Sequence, residues 1–313
     1  MTTSGVPALH LPFETIRSEQ EAAVRDRARE VRLRLSGAGF GSLVQEDNAM
    51  VDLICLTSPQ ANVDTIRFVA DWLLWVFPLD DLCEQVFGTS PPTGPVSLLT
   101  LSALPQIVTR GVDELCSGLM TRMSTGWGEQ FRYDLDSYLV HAVRYAGTSA
   151  REVLPSVTDF LVLRREESLA KPTIDLIEVA SGADLPADFR RSAAWRQLID
   201  ACADVLAWTN DIHSFQKERD AGSRFNLIDV LSYNACLEDG AAYACAVDMT
   251  NQRAQQFTTS AAGLVHDQEY AALTEQTQSD ALRCIRGMEH WMRGQYEWFV
   301  TTRPARYDVL QNR

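Results

Sequence analysis

The chain has 313 residues, 46% of them hydrophobic, and its 42 acidic and 28 basic residues give a formal net charge of −14. This apolar content supports a sizeable buried core and sets disorder aside; the acidic balance, with no Lys/Arg cluster, argues against a nucleic-acid partner. A polyanionic small molecule stays compatible, provided that a metal ion or a local basic pocket receives it.

The opening "MTTSGVPALHLPFE" has neither a basic n-region nor an apolar h-region, so no secretory leader is expected. Residues 1–15 read as a flexible segment that caps the site. Helical periodicity predicts helices over 14–36, 61–87, 96–120, 128–147, 150–166, 187–219, 224–238, 240–263 and 267–302. With no convincing alternating strand, the fold class is all-α. The breaks "GTSPPTGP", "SGADLPAD" and "RDAGSR" are rich in Gly, Pro and small polar residues. None reads as an interdomain linker and no fixed-period repeat is visible, which predicts one domain over 1–313 with residues 303–313 as a C-terminal lid. The longest apolar run, Trp72 to Leu79, is too short to span a bilayer, so no membrane insertion is expected. Seven scattered cysteines, odd in number and without a CxxC pair, fit reduced thiols in a cytoplasm and not a disulfide framework or structural zinc site.

Two segments break the apolar pattern. In "WVFPLDDLCEQVF", the series Phe68, Trp72, Val76, Asp80, Glu84 steps by four, which puts carboxylates on the stripe that apolar side chains occupy. A solvated helix end is the plain alternative. However, Asp80 and Asp81 near a helix C-terminus oppose the helix macrodipole unless a cation compensates. Oxygen ligands one turn apart suit Mg²⁺, which completes its shell with water and substrate phosphate. Pro78 is expected to kink or loosen the helix beside them. In "WTNDIHSFQKE", Asn210, Ser214 and Glu218 again step by four, in register with Leu198, Cys202 and Leu206. An amide oxygen, a hydroxyl and a carboxylate on one face form a second hard-metal site. His213 falls off that face and is expected to make an ordinary hydrogen bond.

Asp80-Asp81-x-x-Glu84 together with Asn210-Asp211-x-x-Ser214-x-x-x-Glu218 resembles the paired metal motifs of class I terpene synthases, in particular the single-domain bacterial terpene cyclases. The resemblance runs from about Val63 to Tyr307. "LRREESLAKPTIDLIE" resembles the family's diphosphate-sensor segment, which implies Arg164 as sensor, Glu167 as linker and Ser168 as the helix-break effector. Lys217 precedes Glu218 as in the family, "NLIDVL" follows at the familiar distance, and "ARY" supplies Arg306 and Tyr307. Glu84 stands where aspartate is commoner in the family, and Glu167 and Ser168 where Thr or Asp and Gly are more usual.

The resemblance implies three Mg²⁺ ions between the two helices, with Asp80, Asp81 and Glu84 on one side and Asn210, Ser214 and Glu218 on the other. Arg164, Lys217 and Arg306 are then expected to donate to the diphosphate, with Tyr307 joining as the C-terminus folds over the mouth. Departure of the diphosphate leaves an allylic carbocation, so the site must be dry. Ring faces attract such a cation by roughly 0.5–2 kcal/mol. Phe77, one turn before Asp80, and the pair Trp291 and Trp298 are the aromatic candidates, with ordinary core packing as the alternative for each. Deprotonation falls to the released diphosphate or to a carbonyl. The expected activity is cyclisation of farnesyl diphosphate to a sesquiterpene, with a geranylgeranyl or bicyclic C20 diphosphate as the alternative. An isoprenyl chain-elongating synthase is the nearest rival, but would carry a second aspartate-rich motif in place of Asn210, Ser214 and Glu218. A non-catalytic helical binding protein is the rival from another class. A homodimer is common among proteins of this family.

Overall fold

A computed structural model describes residues 8–41, 47–87, 104–146 and 154–302. Its longer helices are α1 (Glu21–Gly37), α2 (Asp47–Thr57), α3 (Thr65–Phe87), α4 (Gln106–Arg122), α5 (Thr125–Ala146), α6 (Val157–Glu167), α7 (Ala170–Ala180), α9 (Ala193–Asp220), α10 (Leu227–Ala235), α11 (Asp239–Gly263) and α13 (Glu275–Glu297). Two single turns, α8 (Ala187–Arg190) and α12 (Gln268–Ala271), complete the series, and α13 ends in a π-helical turn, Trp298–Thr302. The described residues contain no strand, and no helix among them is long and apolar enough to cross a membrane.

The all-α expectation holds, and the differences from the predicted elements have physical causes. Two helices, α2 and α7, were not predicted. In α2, Ala49 to Leu56 are buried except for Asp52; in α7, all but Lys171 and Asp175 are buried. Eleven-residue helices with so narrow a polar face give a periodic signal too short to detect. The predicted 187–219 helix is divided, because Ser192 caps a new start by accepting the Trp195 N–H at 3.1 Å. Residues 14–20 are not helical, and 96–103 lie outside the described residues. Helix α3 runs unbroken through Pro78, which offers no N–H to the Leu74 carbonyl.

Helix α9 sits at the centre, packed against α6, α7, α10, α11 and α13, while α3 packs against α1, α2, α4, α5 and α7. Its buried residues include Leu198, Cys202, Val205 and Leu206. Just beyond Glu218, Gly222 at φ +84° closes α9, its N–H reaching Arg219 O at 2.9 Å. None of the seven cysteines is in a disulfide.

Candidate active site

A cavity of about 370 Å³ lies between α2, α3, α6, α7, α9 and α13, within the roughly 300–1,000 Å³ range of small-molecule pockets. One part of its lining is polar: Asp80, Asp81, Arg164, Glu167, Asn210, Ser214, Lys217 and Glu218. The rest is largely apolar and aromatic, with Leu53, Leu73, Val76, Phe77, Leu206, Trp291, Trp298 and Phe299. Two motifs separated by 130 positions thus meet at one cavity. Arg306 and Tyr307 lie outside the described residues, as does the side chain of Glu84, although its backbone belongs to α3.

Arg164 is the hub of the polar end. Its Nε donates to Asp211 Oδ1 at 2.9 Å, Nη1 to Glu167 Oε2 at 2.7 Å and Nη2 to Asn210 Oδ1 at 3.2 Å. Burial disfavours the charged guanidinium, but Asp211, Glu167 and Glu218 outweigh it and hold Arg164 protonated. Burial pushes the Asp211 carboxyl up to about 7 against the pull of Arg164. Glu167 is also raised, by burial first and then by Asp80 and Glu218. Ser168 ends α6 in an extended conformation (ψ 150°) before α7 starts at Ala170, so a helix break stands where the resemblance implies one.

Four residues that the sequence reading passed over join the site. Fully buried Asp211 also accepts the Leu227 N–H at 3.1 Å, which fixes the start of α10 against α9. Asn226 caps α10 and turns its amide toward α9, donating to Asp211 O at 2.8 Å and to Glu218 Oε2 at 3.0 Å. Tyr138, on α5, donates to Asp80 Oδ1 at 2.6 Å, and burial, then Asp80, push its phenol well above the usual tyrosine range. Gln295 lines the cavity, with its Oε1 buried and lacking a hydrogen-bond partner among the described residues. Of these, Asp211 and Asn226 sat inside quoted motifs; Tyr138 and Gln295 carried no local signal.

Among the aromatic candidates, Phe77, Trp291 and Trp298 all line the cavity, and Trp298 is anchored by its Nε1–H to Ala49 O at 2.7 Å. Trp72 lies in the core and donates to Thr173 Oγ1 at 2.8 Å. The hydrogen bond expected of His213 is replaced by ring stacking: it lies parallel to Phe299, centroids 4.6 Å apart, and its buried Nε2 has no partner among the described residues. Burial lowers its pKa to about 4.

The donors that Asp80, Asp81, Asn210, Ser214 and Glu218 present are all oxygen, which fits a hard cation and not one that prefers nitrogen or sulfur. This donor set is divided between α3 and α9 and includes an amide and a hydroxyl; among the described residues no three His, Cys, Asp or Glu side chains form a metal cluster.

The family model described as terpene synthase family 2, C-terminal metal binding, matches residues 71–256. Over 270 residues the chain is 24% identical to (−)-δ-cadinene synthase of Streptomyces clavuligerus, covering 80% of this chain and 79% of that protein. It is 28% identical over 257 residues to a 4-epi-cubebol synthase of Streptosporangium roseum, covering 79% and 75%. The crystal structure of germacradien-4-ol synthase from Streptomyces citricolor shares the fold, with a TM-score of 0.80 at 22% identity over 95% of this chain and 99% of that one. With the match extending over more than half its length, the chain belongs to the terpene synthase family, and it is a class I terpene synthase.

Proposed function

We propose that this enzyme ionises farnesyl diphosphate and cyclises the resulting cation to a sesquiterpene. The observation that carries the reading is one cavity with an acidic, arginine-bearing end and an aromatic, apolar remainder. The relatives support the chain length, since the 4-epi-cubebol synthase is described as cyclising (2E,6E)-farnesyl diphosphate. In this reading Asp80 and Asp81, joined by Glu84, hold Mg²⁺ from α3; Asn210, Ser214 and Glu218 hold it from α9. Three ions are proposed. When bound, Mg²⁺ would neutralise the charge that builds on the departing diphosphate.

The chain's own residues supply the remainder. Arg164 and Lys217, with Arg306 and Tyr307, donate to diphosphate oxygens, Arg164 already charged and oriented by Asp211 and Glu167. Glu167 and Ser168 link that arginine to the helix break that borders the cavity. Phe77, Trp291 and Trp298 exclude water and offer ring faces to the cation. One domain, with residues 1–15 as cap and 303–313 as lid, a homodimer and a cytoplasmic setting belong to the same reading. Incubation with geranyl, farnesyl and geranylgeranyl diphosphate plus Mg²⁺, followed by analysis of the extract, tests it. Cyclic C15 products are expected from farnesyl diphosphate; linear alcohols alone, elongated diphosphates or no turnover overturn it.

A further inference from the structure

Helix α5 packs against α3 and places Tyr138, 1% exposed, beneath Asp80. The phenol O–H donates to Asp80 Oδ1 at 2.6 Å, the short range of hydrogen bonds to a charged acceptor. A buried tyrosine ring has little freedom, so its hydroxyl is a fixed point, whereas an aspartate on a helix can rotate. Repulsion makes that rotation matter. Asp80, Glu167 and Glu218 share one lining, so without the phenol the mutual repulsion of these carboxylates is no longer opposed at Asp80 Oδ1. A carboxylate has about four lone-pair sites, and one donated proton leaves it able to accept further ligands. The donor is neutral. A lysine or arginine at this place would compete with a metal ion for the same charge, while a phenol orients the carboxylate and leaves the negative field in place.

We propose that Tyr138 is a positioning residue of the metal site, its hydroxyl orienting the Asp80 carboxylate for the cation. This rests on the reading of Asp80 as a metal ligand. Groups that orient metal ligands typically contribute 10–100-fold to metal affinity.

The test is Tyr138→Phe in the full chain, which keeps the ring and removes the proton. Mg²⁺ binding is titrated calorimetrically in the presence of inorganic diphosphate, beside Asp80→Ala and the double variant. Tyr138→Phe is expected to weaken Mg²⁺ binding by roughly 10–100-fold and to leave the helical circular dichroism signal and melting temperature within a few degrees of wild type. In the Asp80→Ala background it should have no further effect. Wild-type binding in Tyr138→Phe, or an equal loss in the Asp80→Ala background, overturns the role of Tyr138 alone. A wild-type protein that takes up no Mg²⁺ with diphosphate overturns the metal reading and this inference together.

Discussion

Two arginine–aspartate rungs join α6 to α9, and they do different work. Arg165 donates through Nε and Nη2 to the two oxygens of Asp204, at 2.7 and 2.8 Å, and pairs through Nη1 with Asp200 at 3.2 Å. Arg253 from α11 also reaches Asp204 Oδ2 at 2.8 Å. Here two guanidinium groups face two carboxylates, and the rung ties α6 and α11 to α9. Its neighbour Arg164 meets Asp211, seven residues further along α9, but also Glu167, with Glu218 close enough to act on it. The cavity lining adds Asp80 and Asp81 on the acidic side and Lys217 on the basic side. Among the described residues, adjacent arginines thus serve a joint whose charges balance and a site whose lining is acid-rich. The local charge sum of those residues, more than the presence of charge, separates them.

The contrast is broken most severely by Asp80→Ala or Asn210→Ala. Each is expected to lower turnover by on the order of 10²-fold or more with the helical circular dichroism signal intact, and retained activity would falsify the metal assignment. Chelation with EDTA should likewise abolish turnover, with recovery on adding Mg²⁺. Next, Asp204→Ala removes the carboxylate that Arg165 and Arg253 share, leaving Arg165 with Asp200, and is expected to lower unfolding free energy by about 1–3 kcal/mol in a urea melt, with kcat per folded molecule unchanged. Asp211→Asn sharpens the difference: its main effect should fall on kcat, because Arg164 keeps Glu167 but loses the carboxylate that orients its Nε. A loss of stability of the same order as that of Asp204→Ala is expected from Gly294→Ala. The added Cβ would stand 2.3 Å from Leu56 O, and the backbone shift should cost about 1–3 kcal/mol by thermal melting. Comparable is Trp298→Phe, which removes the Nε1–H to Ala49 O bond and part of a buried ring, for a loss of about 1–3 kcal/mol; a changed product ratio is the accompanying readout.

The all-α class and the meeting of two oxygen-rich motifs at one cavity were legible because Asp80, Asn210, Ser214 and Glu218 stand at positions of otherwise apolar stripes, a conflict that one helix exhibits by itself. Helices α2 and α7 were not legible, since each has only eleven residues and a narrow, partly exposed polar face, Asp52 in α2 and Lys171 with Asp175 in α7. Tyr138 shows a different obstacle. In sequence it is one core aromatic of α5, and only its meeting with Asp80, 58 residues away, gives the hydroxyl a purpose. Gln295 is hidden in the same way, on a face of α13 shared with ordinary packing residues.

The approach of α13 to α2 at Gly294 has a bearing on how this enzyme can diversify. There the main chain of one helix lies against the Leu56–Thr57 main chain of the other, one residue before Gln295 and one turn before Trp298. Backbone packed on backbone sets how near the two helices stand, and with it the spacing between Leu53 of α2 and the Trp291, Gln295 and Trp298 side chains that enter the cavity from the other side. Point substitutions at those side chains reshape the pocket one wall at a time, while the α13–α2 seam acts as an inherited constant that holds the walls at a fixed separation.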